Sequence, residues 1–156
     1  MSVPFPSVQF FAALRDAMGA EQERFRRLGF FDTTMGVRVL RDGRPPAEFA
    51  LTFEVFDCTR VHEGFADVQP DFVLEGPLPV WRDMLDAIHH LGAADTAHSI
   101  NTLTHFGDHL KVVYDDPNGH DMLYRFAESI QEFFDLAARV DFTYDDGRRP
   151  PARSAA

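Results

Sequence analysis

DFVLEGPLPVWRDMLDAIHHLG, residues 71–92, reads as a short strand that turns directly into an amphipathic helix. Phe72 and Leu74 alternate with Asp71 and Glu75, and Val73 adds an apolar side chain on the opposite face, so the strand is expected to be covered on both sides. Gly76-Pro77 breaks the ladder. Pro77 and Pro79 preset the first helical turn, where a missing N–H costs little. Trp81, Met84, Leu85, Ile88 and Leu91 follow at helical spacing, and Gly92 stands where a helix reverses into a left-handed cap. Such a stripe either seals a core or lines a cavity for an apolar ligand.

Outward from this unit the chain divides by period. Ser7 is placed to cap a helix carrying Phe10, Phe11, Leu14, Met18, Phe25 and Leu28 on one face, with Gly19 dividing it in two. From Thr34 the period becomes two. Val37, Val39, Phe49, Leu51, Phe53 and Val55 flank the turn residues Asp42-Gly43 and Pro45-Pro46, which predicts a hairpin over 37–55. Residues 72–74 supply a third strand and 110–114 a fourth, with Gly107-Asp108 as the turn before it. Asp95 is placed to cap a short helix through Ala97, Ile100 and Leu103. Residues 115–119, DDPNG, form a turn cluster. Leu123, Phe126, Ile130, Phe133, Phe134 and Ala137 then mark one long helical stripe. Strands grouped without βαβ alternation predict an α+β fold: an antiparallel sheet with helices over one face and an apolar cavity between them. Residues 1–143 are expected to form one domain, and 144–156 a disordered tail that buries too little to offset its ordering entropy.

A chain of 156 residues buries roughly 70% of its unfolded surface, enough for one substantial core. Sixteen of its residues are Phe, against three Tyr and one Trp. Phe brings apolar area without a polar handle, so it suits an interior better than a wet interface. The formal charge of −10 argues against nucleic acid and against an anionic membrane as partners. No apolar run approaches the roughly 20 residues of a membrane span, so stable insertion is not expected. A lone cysteine, Cys58, points to a reducing, cytoplasmic setting. The near-absence of lysine hints at a GC-rich bacterial genome.

Six of seven histidines fall between His89 and His120. His105 and His109 have the spacing of a zinc pair, but Gly107-Asp108 between them reads as a turn, and the adjacent His89 and His90 diverge on a helix. No metal and no cofactor is expected. Cys58 reads as a small core residue. His120-Asp121 beside Asp115-Asp116 invites an acid–base reading, against a bland one in which these residues cap the last helix.

The order of parts resembles the sterol-transfer domain of the sterol carrier protein type two family, as a divergent member. An N-terminal helix precedes a hairpin. A strand, Phe72-Val73-Leu74, leads into a Trp-bearing helix, Trp81-Arg82-Asp83-Met84-Leu85. A Phe-Gly turn leads into a Leu-Lys-Val strand over residues 106–112, and an apolar helix closes the chain. The family's lysine-rich step after the Trp helix is replaced here by His89-His90-Leu91-Gly92-Ala93-Ala94-Asp95. The resemblance implies an α+β layer holding a sterol, fatty acid or acyl-CoA in an apolar tunnel. Trp81, Met84, Leu85 and Ile88 would form one wall, Phe126, Ile130, Phe133 and Phe134 the other, with Asn101 or His105 orienting a polar head. The expected partner is therefore an apolar small molecule or lipid. The rival readings are a small cofactor-independent isomerase or dehydratase using His105, His120 and Asp121 in an apolar pocket, and a regulatory domain acting through a homodimer interface.

Overall fold

The structure, a computed structural model, describes residues 2–106 and 109–154. The expected turn at Gly107-Asp108 lies outside them. The elements run β1 (Val3–Phe5), α1 (Val8–Gly19), α2 (Gln22–Leu28), β2 (Thr33–Arg41), β3 (Arg44–Glu54), β4 (Asp57–Glu63), β5 (Phe72–Pro77), α3 (Leu78–Leu91), α4 (Ile100–His105), β6 (Lys111–Val113), α5 (Pro117–Arg125), α6 (Ala127–Asp135) and β7 (Phe142–Tyr144). Short 3₁₀ turns lie at Thr96–His98 and Leu136–Arg139.

Five strands form the main sheet in the order β4-β3-β2-β5-β6, and β1 pairs with β7 apart from it. The α+β class stands and the main sheet is mostly antiparallel, with one parallel pairing inside it. β2 and β5 run parallel, with Val37 opposite Leu74. Residues 64–71 carry the chain from the β4 edge past β3 to the far side of β2, and a strand delivered by such a crossing can lie parallel to its neighbour. Alternation then sorts the faces. Met35, Val37, Val39, Phe49, Leu51, Phe53, Phe72 and Leu74 point to the helices and are buried. On the other face Arg38 bridges Glu48 at 2.6 Å and Glu75 at 2.9 Å. There Gly36 lets the crossing segment lie close, since a Cβ would sit 3.0 Å from Pro70 and 3.1 Å from Phe65.

Several local expectations hold. Ser7 Oγ accepts the Phe10 N–H at 3.0 Å, and α1 ends at Gly19 before α2 begins. Gly92 caps α3 at φ 91°. Asp95 accepts the His98 N–H and so caps the 3₁₀ turn, whereas α4 takes Ser99 as its cap. Others change. Pro45 and Pro46 lie within the start of β3, where the pairing slips between Val39 and Arg41 and the missing N–H groups cost no ladder bond. The long terminal helix is two helices that break at Phe126 (φ −109°, ψ 19°).

Eleven of the sixteen phenylalanines are buried, so the Phe excess is mainly core. Asp135 is an acid inside this core. Its Oδ1 accepts the Ala94 N–H at 3.1 Å and Gln131 Nε2–H at 2.9 Å, while Gln131 Oε1 accepts the Ile100 N–H at 2.7 Å. The pair ties the loop before α4 to α6.

Residues 144–154, expected to be disordered, are laid along α3. Tyr144 is buried and donates its hydroxyl to Asp86 at 2.6 Å, and Ser154 N–H reaches the His90 carbonyl at 2.7 Å. Composition alone missed this because the segment is held by polar contacts and prolines, not by apolar mass. A chain ending at Asp146 should lose about 2 kcal/mol of stability, which thermal melting would record as a drop of roughly 4–8 °C. For Asp135, burial raises the carboxyl pKa above its ordinary value of 3.8. A raised carboxyl contributes stability below the unfolded value and loses it as pH rises through the folded value. Asp135→Asn keeps the Oδ1 acceptor, so its stability relative to the parent should increase as pH rises from 3.8 toward neutrality, read by denaturant titration at several pH values.

Candidate functional site: an aromatic cleft at the α5–α6 junction

Leu28 ends α2, and Gly29 (φ 97°) swings the chain into the Phe30-Phe31-Asp32 segment that starts β2. This segment is clamped to the β3–β4 turn by a reciprocal pair of bonds. Phe31 N–H donates to the Val55 carbonyl at 2.8 Å, and Val55 N–H donates to Asp32 Oδ1 at 2.8 Å. Val55 holds φ 62°, a left-handed conformation that a β-branched residue adopts at a cost. Facing the clamp, the break at Phe126 turns α5 away from α6. Between the two lies a cleft of about 830 Å³.

Leu28, Phe30, Met122, Phe126 and Ala127 give the cleft its apolar wall. Phe30 is 67% exposed, and its ring stacks on Phe56 at 5.5 Å with the Arg26 guanidinium 5.6 Å above Phe56. An exposed ring held in a fixed stack is a surface waiting for apolar contact. Arg125, Glu128, Ser129 and Tyr124 supply the polar side. Ser129 and Arg125 both line the cleft, and among the described residues neither the Ser129 hydroxyl nor the Arg125 guanidinium has a hydrogen-bond or ion-pair partner. Asp32 is already committed to Val55.

A chain of ring contacts runs from the cleft to the middle of the protein. Phe126 meets Phe31 at 5.5 Å, Phe31 stacks on Phe53 at 4.1 Å, and Phe53 meets Phe133 edge-on at 5.0 Å. Phe133 then meets Phe134 at 5.8 Å, and Phe134 meets Trp81 at 5.8 Å. The two expected walls are thus in one aromatic cluster. Trp81, Met84, Leu85, Ile88, Ile130, Phe133 and Phe134 are all buried and pack in a common core. Of the ten residues expected to bind, Phe126 alone lines the cleft. Asn101 and His105 lie exposed on α4. His105 still touches the site indirectly, since its Nε2 faces the Tyr124 hydroxyl at 2.8 Å and its Nδ1 the Asn101 carbonyl at 2.8 Å. With Nδ1 donating to that carbonyl, Nε2 is left to accept from Tyr124.

The acid–base constellation is not assembled. His120 sits between the rings of Tyr114 and Tyr124 at 5.0 and 4.6 Å. The hydrogen bond between a histidine and a carboxylate that occurs among the described residues is His98 to Asp95, at 2.6 Å on the surface. Among those residues no group of three or more His, Cys, Asp or Glu is placed to hold a metal ion. Cys58 is buried, with its thiol pushed up to about 12 by desolvation, and donates to the Arg60 carbonyl at 3.5 Å. Among the described residues no helix is long and apolar enough to cross a membrane.

Phe30, Arg125 and Ser129 are among the cleft residues not singled out from the sequence. Phe30-Phe31 next to Gly29 was a usable signal, because one ring of an adjacent pair in an extended segment must face outward.

The sequence matches no family model and no curated protein significantly. Solved structures do match the fold. A crystal structure of sterol carrier protein 2 aligns with TM-score 0.62 at 18% identity, over 85% of this chain and 95% of that one. The solution structure of a conserved hypothetical protein from Thermus thermophilus aligns with TM-score 0.63 at 16% identity, over 91% and 96%. Apo sterol carrier protein 2 from Yarrowia lipolytica aligns with TM-score 0.53 at 12% identity, over 88% and 98%. Val55→Gly should relieve the left-handed strain at the rim and raise stability by about 1 kcal/mol, measured as an upward shift of the denaturant midpoint at unchanged slope. The fold seen in sterol carrier protein 2 is also the fold of this chain.

Proposed function

We propose that this protein binds a long-chain amphiphile, such as a fatty acid, acyl thioester or sterol, at the Phe30–Phe126 cleft and shields its tail from water. The observation that carries the reading is that Arg125 and Ser129, without partners among the described residues, line one cleft with Phe126, the outermost ring of the chain that leads to Trp81. A polar head has donors to meet at the rim. The tail has a path of aromatic contacts behind it, from Phe126 to Trp81. Affinity comes from apolar area buried, at roughly 25 cal/mol per Å², and selectivity from the few polar groups. Two of the structures that share this fold are sterol carrier proteins, which supports the same reading. Among the described residues, the isomerase or dehydratase candidates His105, His120 and Asp121 make no His–Asp pair, and the pair that does form, His98 with Asp95, lies on the surface.

Titration with a C16 fatty acid and with the matching alcohol tests this. Trp81 is the only tryptophan, and both ligands should change its emission saturably. Arg125→Ala should weaken the acid about tenfold, or ~1.4 kcal/mol, and leave the alcohol almost unchanged. Phe126→Asp should weaken both. Absence of saturable binding of either amphiphile to the parent chain, by fluorescence and by calorimetry, sinks the reading.

A further inference from the structure

The outward side of α3 makes a set of contacts that the cleft does not use. His89 Nδ1 faces the Pro151 carbonyl at 2.7 Å, and His90 Nδ1 faces the Ala152 carbonyl at 2.8 Å. Each ring nitrogen must carry its hydrogen to serve a carbonyl, so two consecutive imidazoles read two consecutive peptide units. The His90 carbonyl then accepts the Ser154 N–H at 2.7 Å. Upstream, Arg148 pairs with Asp86 at 3.0 Å and lies 4.6 Å from the Tyr144 ring centre. Pro150 is buried, and Pro151 lines a groove of about 480 Å³ together with Asp83, Asp86, Leu91 and His98. Arg153 packs its guanidinium against Gly92, at a spot a Cβ would occupy. Along Arg148-Arg149-Pro150-Pro151-Ala152-Arg153, both outer arginines, Pro151 and two carbonyls each meet a dedicated feature, and Pro150 is buried.

We propose that this face of α3 is a recognition site for extended segments of the form Arg-x-Pro-Pro-x-Arg. The chain's own residues 148–154 are its resident occupant, and a partner protein's segment of the same chemistry takes their place in trans. The prolines keep such a segment extended before it binds, which lowers the ordering cost. The acids of α3 and the net charge of −10 favour a basic ligand. Exchange is feasible because the bonds from His89 and His90 are solvent-exposed, so the segment can detach with Pro150 alone of residues 148–154 leaving a buried position. The tether gives the resident segment an effective concentration in the millimolar range. A trans ligand therefore competes only where the resident contacts are weakened or its own are better. The site is separate from the cleft and does not depend on what the cleft binds.

The experiment uses the full chain and a fluorescein-labelled peptide of residues 147–154, GRRPPARS, followed by anisotropy. A full-length variant carrying Pro150→Ala, Pro151→Ala and Arg153→Ala should bind the peptide at least tenfold more tightly than the parent chain. Adding His90→Ala, at an exposed position, should remove most of that gain. A scrambled peptide of equal charge should bind at least tenfold more weakly. Equal binding by parent and weakened chains, indifference to His90→Ala, or equal binding of the scrambled peptide overturns the proposal. Should the weakened chain fail to fold, exchange of the Ser154 amide in the parent decides. Millimolar unlabelled peptide should speed it several-fold, and an unchanged rate rejects the site.

Discussion

The carbonyl of Gly76 is the point on which the architecture turns. It accepts the Trp81 Nε1–H at 3.1 Å, and that bond satisfies the one polar atom of an indole that is otherwise buried. An unsatisfied indole N–H in the core would cost on the order of 1–3 kcal/mol. The same residue lacks a side chain where Leu110 must sit, since a Cβ there would collide with it and lie 3.1 Å from the His109 carbonyl. β5 can therefore pass into α3 without a loop while β6 closes against its other edge. Trp81 is thereby held against Phe134, and α6 takes its position over the sheet.

The parallel pairing of β5 with β2 has a second consequence. The segment that makes the crossing folds over the outer face, where Phe65 and Pro70 cover Gly36, and Arg38 stands between Glu48 and Glu75. The helices are left with the inner face alone. All the large apolar side chains of β2, β3 and β5 that face inward are then available to α1, α3 and α6, and a single aromatic core results. The cleft lies at the margin of this core. Phe126, at the helix break, marks the place where the packed interior meets solvent.

Much of this was legible in the residues. The strand-to-helix unit at 71–92, the Ser7 and Gly92 caps, the split after Gly19 and the burial of Trp81, Met84, Leu85 and Ile88 follow from spacing and backbone preference, which are local. The site was less legible. Phe133 and Phe134 lie on an apolar stripe that spacing shows, but a helical stripe does not say whether it faces a void or another stripe. His105 was singled out for its chemistry and stands one contact away, through Tyr124. Arg125 is invisible in the sequence, because an arginine that lines a cleft reads there like any arginine on a helix.

The amino-acid order by itself determined the α+β class, the amphipathic faces and the aromatic interior, because periods of 2 and 3.6 residues and turn-forming glycines act over a few positions. Only the tertiary structure decided the parallel register of β2 with β5, the break that separates α5 from α6, the cleft beside Phe126 and the docking of residues 148–154 on α3. Each of these depends on groups far apart in the chain. The helix break leaves room against a loop nearly a hundred residues earlier, and the arginine–proline segment is ordered by histidines some sixty residues before it. Contacts of that span have no local signature, because the partner that stabilises each residue is absent from its neighbourhood in the sequence.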